Sequence, residues 1–391
     1  MYKLANFKTL ALAALAFSIA SCNDDDDAPV NLRSSIDYNT LTPTTAYSKT
    51  FVDASGATTV DFSEGATRLK MFQALNYYGT SNIAANTHID AAQFKKLYSN
   101  TGNPFTDIST ATINVKGAEL NSASVQLKDA TAASWSATEA NKVRSKVESL
   151  FDQIDVVSNS LSQTASAGKA GKIGSYLVDE KGIEVLQVIQ KSLIGAIQLD
   201  YINNVLLDKG LQVDNTTPHA GVNYTELEHN WDIAYGMLTL NPIFLEGSTD
   251  ATRATVEFGL GSYVWEYNKG AYAKIYPAYL KGRAAIVNND RTEIQAQATF
   301  IRTELEKAVA TSAFNYLEKW RTGQNDQERV HAIGEAIGFI YALRFATIAK
   351  ADAAFSDNII TGLTGSANGF WDIDIVKINT AKDAIKAKFN L

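Results

Sequence analysis

Two short segments hold most of the side chains able to bind or transform a ligand. The first runs from Tyr224 to Met237 and contains Glu228-His229-Asn230-Trp231-Asp232. At helical spacing Leu227, Trp231, Ala234 and Leu238 form an apolar seam, and His229 and Asp232, three apart, project from one adjoining face. An imidazole beside a carboxylate on such a helix either binds something or is satisfied internally. Glu228 and Asp232, four apart, repel if both are charged, and a nearby cation would relieve them. The second segment runs from Gln327 to Phe339, where His331 and Glu335 share a face. Gly334 and Gly338 cost that helix about 1 kcal/mol each relative to alanine. They therefore imply a close approach by another helix or by a ligand.

A histidine and a carboxylate from each of two helices is a usual way for a bundle core to build a metal site, and this donor chemistry suits iron or zinc better than calcium. The candidate ligands are His229, Asp232, His331 and Glu335, with Glu228 beside them, and the candidate cofactor is iron or another divalent metal. Plainer outcomes compete. His331 and Glu335 suit an ordinary helical ion pair, and His229 with Asp232 suits an internal network. The other two histidines, His88 and His219, read as surface residues.

Positive signs of catalysis are missing. No His-Glu-x-x-His run supplies a zinc peptidase, and no Gly-x-Ser-x-Gly elbow supplies a serine nucleophile. The single cysteine, Cys22, leaves no thiol in the body of the chain. No basic run marks a nucleic-acid surface, and the formal charge is −7.

The elements that must position these residues read as helices. Residues 1–21 have the form of an export signal: Lys3 and Lys8, then an apolar run from Leu10 to Ile19 too short to span a bilayer, then Ala20-Ser21-Cys22. An unpaired cysteine in an exported chain needs an explanation, and lipidation of Cys22 gives one. Removing Lys3 and Lys8 with the signal takes the formal charge from −7 to −9. Four aspartates, Asp24 to Asp27, then repel one another as a solvated tether, and residues 22–62 form the tether and an extended lead-in.

Helical spacing starts near Glu64, and a short helix is expected from Ala91 to Tyr98. Residues 100–134 read as a polar excursion. Ser136 with Glu139 opens a helix to about Ser160, and Gly182 to Leu207 reads as one helix, apolar on most sides. Thr225 with Glu228, Asp290 with Glu293, and Asn325 with Glu328 open further helices, to about Leu240, Trp320 and Ala349. Pro277 is expected to kink or divide residues 251–288, and a last helix spans roughly Ile375 to Phe389. The class is all-α, as up-and-down bundles, and the length accommodates two of them.

Several of these segments carry a family likeness. Leu227 to Gly236 resembles the signature of a Bacteroidota lipoprotein family of unassigned function, itself similar to the imelysins, iron-regulated exported helical proteins. Asn103-Pro104-Phe105, Leu127-Lys128-Asp129 and Gly338-Phe339-Ile340-Tyr341 fit the same family, and the acidic tether resembles its surface-export signal. The resemblance implies two packed four-helix bundles over residues 63–391, with a boundary near 210–222. It also implies a His-x-x-Glu motif in which His229 is the histidine and Asp232 stands where the glutamate is found.

The leading expectation is a lipoprotein held by Cys22 in outer-membrane lipid and facing the cell surface or periplasm. It would bind a small ligand, iron or haem, at the histidine–carboxylate site, beside an outer-membrane transporter. A carbohydrate-binding lipoprotein is the first alternative, since tyrosine and tryptophan are plentiful; a metallopeptidase is the second.

Overall fold

A computed structural model describes residues 32–238, 249, 251 and 257–391. The export signal, Cys22 and the acidic tether lie outside the described residues. The all-α class holds: Asn31–Leu391 packs as one compact unit of helices, with two small antiparallel hairpins as its only sheets among the described residues. None of the described helices is long and apolar enough to cross a membrane.

Among its described residues the lead-in holds a 3-10 turn at Tyr38–Thr40 and a short helix, α1 (Tyr47–Thr50). It feeds α2 (Ser63–Ala84) and α3 (Ala91–Ser99). The polar excursion that follows holds the hairpin β1–β2 (Ile108–Ser109, Asn114–Val115) and the short helices α4 (Gly117–Ser122) and α5 (Leu127–Ala130). Helix α6 (Ala137–Ser158) starts where expected, with the Ser136 hydroxyl accepting from the Glu139 amide. Between α6 and the next helix the chain pairs as the hairpin β3–β4 (Gly171–Ile173, Tyr176–Val178).

The helix read from Gly182 to Leu207 is two things. Helix α7 spans Val185–Leu193 and passes into a π-helix over Ile194–Leu206. Apolar residues on most sides do not distinguish the two hydrogen-bond patterns, so the change is silent in the sequence. Helices α8 (Glu226–Leu238), α9 (Leu260–Tyr267) and α10 (Lys269–Val287) follow. Pro277 sits inside α10, and the division falls at Asn268, whose side chain bonds the Glu304 carbonyl oxygen.

Helices α11 (Arg291–Thr322) and α12 (Asp326–Ala342) carry the Asp290 and Asn325 caps. Helix α12 ends before the expected Ala349, in a tight turn over Leu343–Phe345. Helix α13 (Ala353–Thr364), capped by Asp352, had gone unread, and α14 (Ile375–Phe389) falls on its expected span.

Two seams organise the body: α12 lies between α7 and α11, and α2 lies against α8. Both depend on glycine. A Cβ on Gly65 would stand 2.2 Å from the Ile233 carbonyl oxygen, and one on Gly236 would stand 2.5 Å from the Phe62 oxygen. A Cβ on Gly338 would meet the Lys191 side chain at 2.5 Å, and one on Gly334 would meet that of Glu184 at 3.0 Å. The glycines of α12 thus admit a helix, and their helix-interior cost is offset by close packing.

Candidate functional site

The two histidine-bearing helices make two clusters that share no partner. On α8 the Thr225–Glu228 capping box closes reciprocally. The Thr225 amide donates to Glu228 Oε2 at 2.9 Å and the Glu228 amide to Thr225 Oγ1 at 3.2 Å. This leaves Glu228 Oε1 facing inward, where Arg283 of α10 donates at 2.7 Å and Arg33 of the lead-in at 2.6 Å.

One turn on, Asp232 Oδ1 accepts from Arg283 Nε at 3.1 Å and from the Tyr47 hydroxyl at 2.7 Å, while Oδ2 accepts from the Asp61 amide at 3.3 Å. Arg283 also donates to the Thr59 carbonyl and hydroxyl. Glu228, Asp232 and Arg283 have no solvent exposure. The cation required between the two carboxylates is therefore a guanidinium, and a fork of donors suits that place better than a metal ion.

His229 faces elsewhere. Its Nδ1 lies 3.1 Å from the Asp61 carbonyl oxygen, and its ring stacks on Tyr224 at 4.8 Å. The rest of the segment is spent the same way: Asn230 donates to the Gly210 carbonyl and Trp231 Nε1 to the Tyr279 carbonyl. Glu228, Asp232 and His229 of α8 clasp the lead-in at Arg33, Tyr47 and Asp61, and Arg283 of α10 adds Thr59. Arg33 Nε alone in this network lacks a partner.

The second cluster is built on α12 and opens outward. His331 Nδ1 lies 2.8 Å from Glu184 Oε2, at the start of α7, and Nε2 lies 3.7 Å from Glu335 Oε1. Lys191 of α7 reaches Glu335 Oε1 at 3.0 Å and lies over the Tyr263 ring. Glu335 Oε2 is buried with no hydrogen-bond partner. Tyr176 of β4 stacks on the His331 ring at 4.3 Å, nearly parallel. The outer side of His331 lines a cleft of about 340 Å³ shared with Tyr176, Tyr316, Lys319, Gln327 and Glu328. Burial works against the charged imidazole, but the Glu184 hydrogen bond and the two nearby carboxylates outweigh it and hold His331 above the ordinary histidine range.

Of the five expected ligands, Glu228 and Asp232 meet on Arg283, His229 turns to a backbone carbonyl, and His331 meets Glu335. Glu184, Lys191, Arg283 and Arg33 went unread. Lys191 left a trace: a lone cation inside an apolar helical run must be paired if it is buried, whereas Arg283, two residues after Lys281, does not stand out. Glu184 left none. Among the described residues no group of three or more His, Cys, Asp or Glu side chains is arranged to hold a metal ion. The His331 cluster presents two donors toward each other, the imidazole Nε2 and Glu335, with Glu184 behind the ring. Of the other histidines, His88 meets Ser158 and Asp155, half exposed, and His219 lies in an exposed loop.

Fold and clusters define an all-α protein whose ionisable side chains are gathered at helix–helix seams, one closed and one opening to a cleft. The chain belongs to the DUF4856 family, described as a domain of unknown function, whose model matches residues 47–391. The match takes in Tyr47, Thr59 and Asp61 of the clasped lead-in together with all of α8 and α12. No curated protein and no solved structure matches the chain.

Proposed function

We propose that this protein is an exported, lipid-anchored binding protein that captures a small cationic ligand in the His331 cleft, with a divalent metal ion, iron first among them, as the class that suits the donors. The single observation behind this reading is the orientation of His331. A carboxylate that holds Nδ1–H fixes the tautomer and leaves Nε2 as a lone-pair donor, the outer-sphere arrangement typical of metal-binding histidines. Nε2 and Glu335, which is buried behind the cleft wall, would hold the ion, with solvent entering past the His331 ring to complete its coordination. Lys191 offsets part of the acidic charge, which suits capture with release better than permanent retention. The cleft lies near the floor of the usual range for ligand pockets, about 300–1,000 Å³, so it favours a hydrated ion over haem.

The export signal and Cys22 support an outer-membrane anchor exposed at the cell surface, and the likeness to imelysins supports a link to iron. Delivery to an outer-membrane transporter would be the consequence of such a carrier. Only two donors face each other here, whereas a catalytic zinc site uses three protein ligands, and this speaks against a metallopeptidase.

The test is equilibrium dialysis of the Cys22→Ser chain, which cannot be lipidated, against Fe(II), Zn(II) and Mn(II). Stoichiometric uptake of at least one ion is expected, lost in His331→Ala and in Glu335→Gln and kept in His229→Ala. Uptake of none of the three, or uptake indifferent to His331, overturns the reading.

A further inference from the structure

Away from both histidine clusters, a pocket of about 550 Å³ lies between α2 and α3 and is closed by the loop that leads into β1. Its volume falls within the range of small-molecule sites. Phe105, buried, lies in its wall, and the half-exposed rings of Tyr77 and Tyr78 line it from α2. Tyr78 is fixed: its hydroxyl accepts from the Asp90 amide at 3.0 Å, and its ring meets Phe94 edge-on. Such a ring cannot swing away to fill the space.

The polar groups of this wall are oriented by internal bonds in a telling way. Asn82 spends its amide N–H on the Tyr78 carbonyl at 2.9 Å, and Gln93 spends its own on the Pro104 carbonyl at 3.0 Å. Both side chains line the pocket, and each keeps its amide oxygen and its second N–H without a hydrogen-bond partner. The Tyr77 hydroxyl has none either. The wall therefore offers two oriented amides, each with an acceptor and a donor to spare, and a phenol beside aromatic faces.

Charge narrows the occupant further. Lys, Arg and His are absent from the lining, so nothing there balances a phosphate or carboxylate. The one acid, Asp107, is occupied by Lys116 at 2.9 Å and by the Gly117 amide at 2.9 Å. A purely apolar ligand would leave both amide oxygens dehydrated and unpaired, at a cost of about 1–3 kcal/mol each. An added peptide strand has no adequate template, since β1 at the rim is two residues long.

We infer that this pocket is a saccharide-binding site for a neutral glycan, whose hydroxyls donate to Asn82 Oδ1 and Gln93 Oε1 while a sugar C–H face lies on Tyr77. It is independent of the His331 cleft.

Isothermal titration of the full-length chain with maltohexaose, cellohexaose, xylohexaose and mannohexaose tests the proposal. Binding of at least one is expected, weakened about tenfold or more in Tyr77→Ala, a loss of roughly 1.4 kcal/mol. Gln93→Ala should lose several-fold, and His331→Ala should bind as the parent does. Gln93→Ala removes only one bond to a loop carbonyl, so it keeps the test valid if Tyr77→Ala misfolds. No binding of any of the four overturns the inference, and so does binding that neither variant weakens.

Discussion

The α8 and α12 clusters use the same residue types to opposite ends. Each sets acidic side chains against a basic one at a helix seam, and each carries a histidine on the same helix. On α8 Arg283 bridges both acids, the three having no solvent exposure, and Tyr47, Thr59 and Asp61 take the remaining bonds. On α12 one carboxylate oxygen has no partner, and the histidine borders a cleft. A satisfied buried network makes a structure unique; a partly satisfied one facing a cavity is where a ligand has something to gain. Residue type alone did not separate the two. What separates them is whether an arginine reaches the acids.

The comparison breaks most severely at Arg283. Arg283→Met keeps much of the volume but leaves Glu228 and Asp232 buried without their shared cation. Removing one member of such a set costs about 3–5 kcal/mol, and urea unfolding should show a loss of that size. A loss under 1 kcal/mol would mean that the acids already find water, and the clasp would be no clasp.

Arg33→Ala comes next. Glu228 retains Arg283, so the expected loss is about 1–3 kcal/mol, but its site of action is local. Freed at residue 33, the lead-in should open ahead of the body, and limited proteolysis should cut between residues 34 and 60 while residues 63–238 and 257–391 resist. Uniform resistance of the variant would place the hold on the lead-in elsewhere, at Tyr47 or Asp61.

How much of this was legible in the sequence follows the range of each interaction. The caps at Ser136, Thr225, Asp290 and Asn325 were legible because both partners sit within one turn, and the helices they open were found. The Glu228–Asp232 repulsion was legible too, and with it the need for a cation. Which cation was not, because Arg283 lies 51 residues beyond Asp232 and its pairing depends on how α10 packs. Glu184 meets His331 across 147 residues, and nothing in its neighbourhood sets it apart from an ordinary helix-start acid. The break falls at Asn268 rather than at Pro277, because a proline inside α10 is accommodated when neighbouring helices hold both halves.

On α12 the pH dependence sharpens the contrast, with smaller effects. The folded-state pKa of His331 is raised, so its ion pair contributes fully below the unfolded value of about 6.5. That contribution is lost as pH rises through the folded value. Without metal, stability from this cluster should therefore fall as pH climbs through that window. Metal uptake should run the other way, because the proton on Nε2 must leave before a cation arrives. Uptake that is flat from pH 6 to 8.5, or strongest at the acid end, would exclude His331 as the donor.

The smallest effect is the most discriminating for the assignment of sites. His229→Ala removes one bond to the Asp61 carbonyl and one stacking contact with Tyr224, together about 1 kcal/mol. It removes nothing that faces Glu228 or Asp232, whose oxygens are already committed to arginine, tyrosine and backbone. Uptake of Fe(II), Zn(II) or Mn(II) should then match the parent chain, with only a slight drop in the unfolding midpoint. If His229→Ala instead abolished uptake while His331→Ala did not, the functional end of the molecule would lie on α8. Arg283 would then have to be displaced from its acids by the arriving ion, and the ion would need to bind tightly enough to make up for a stranded, buried guanidinium.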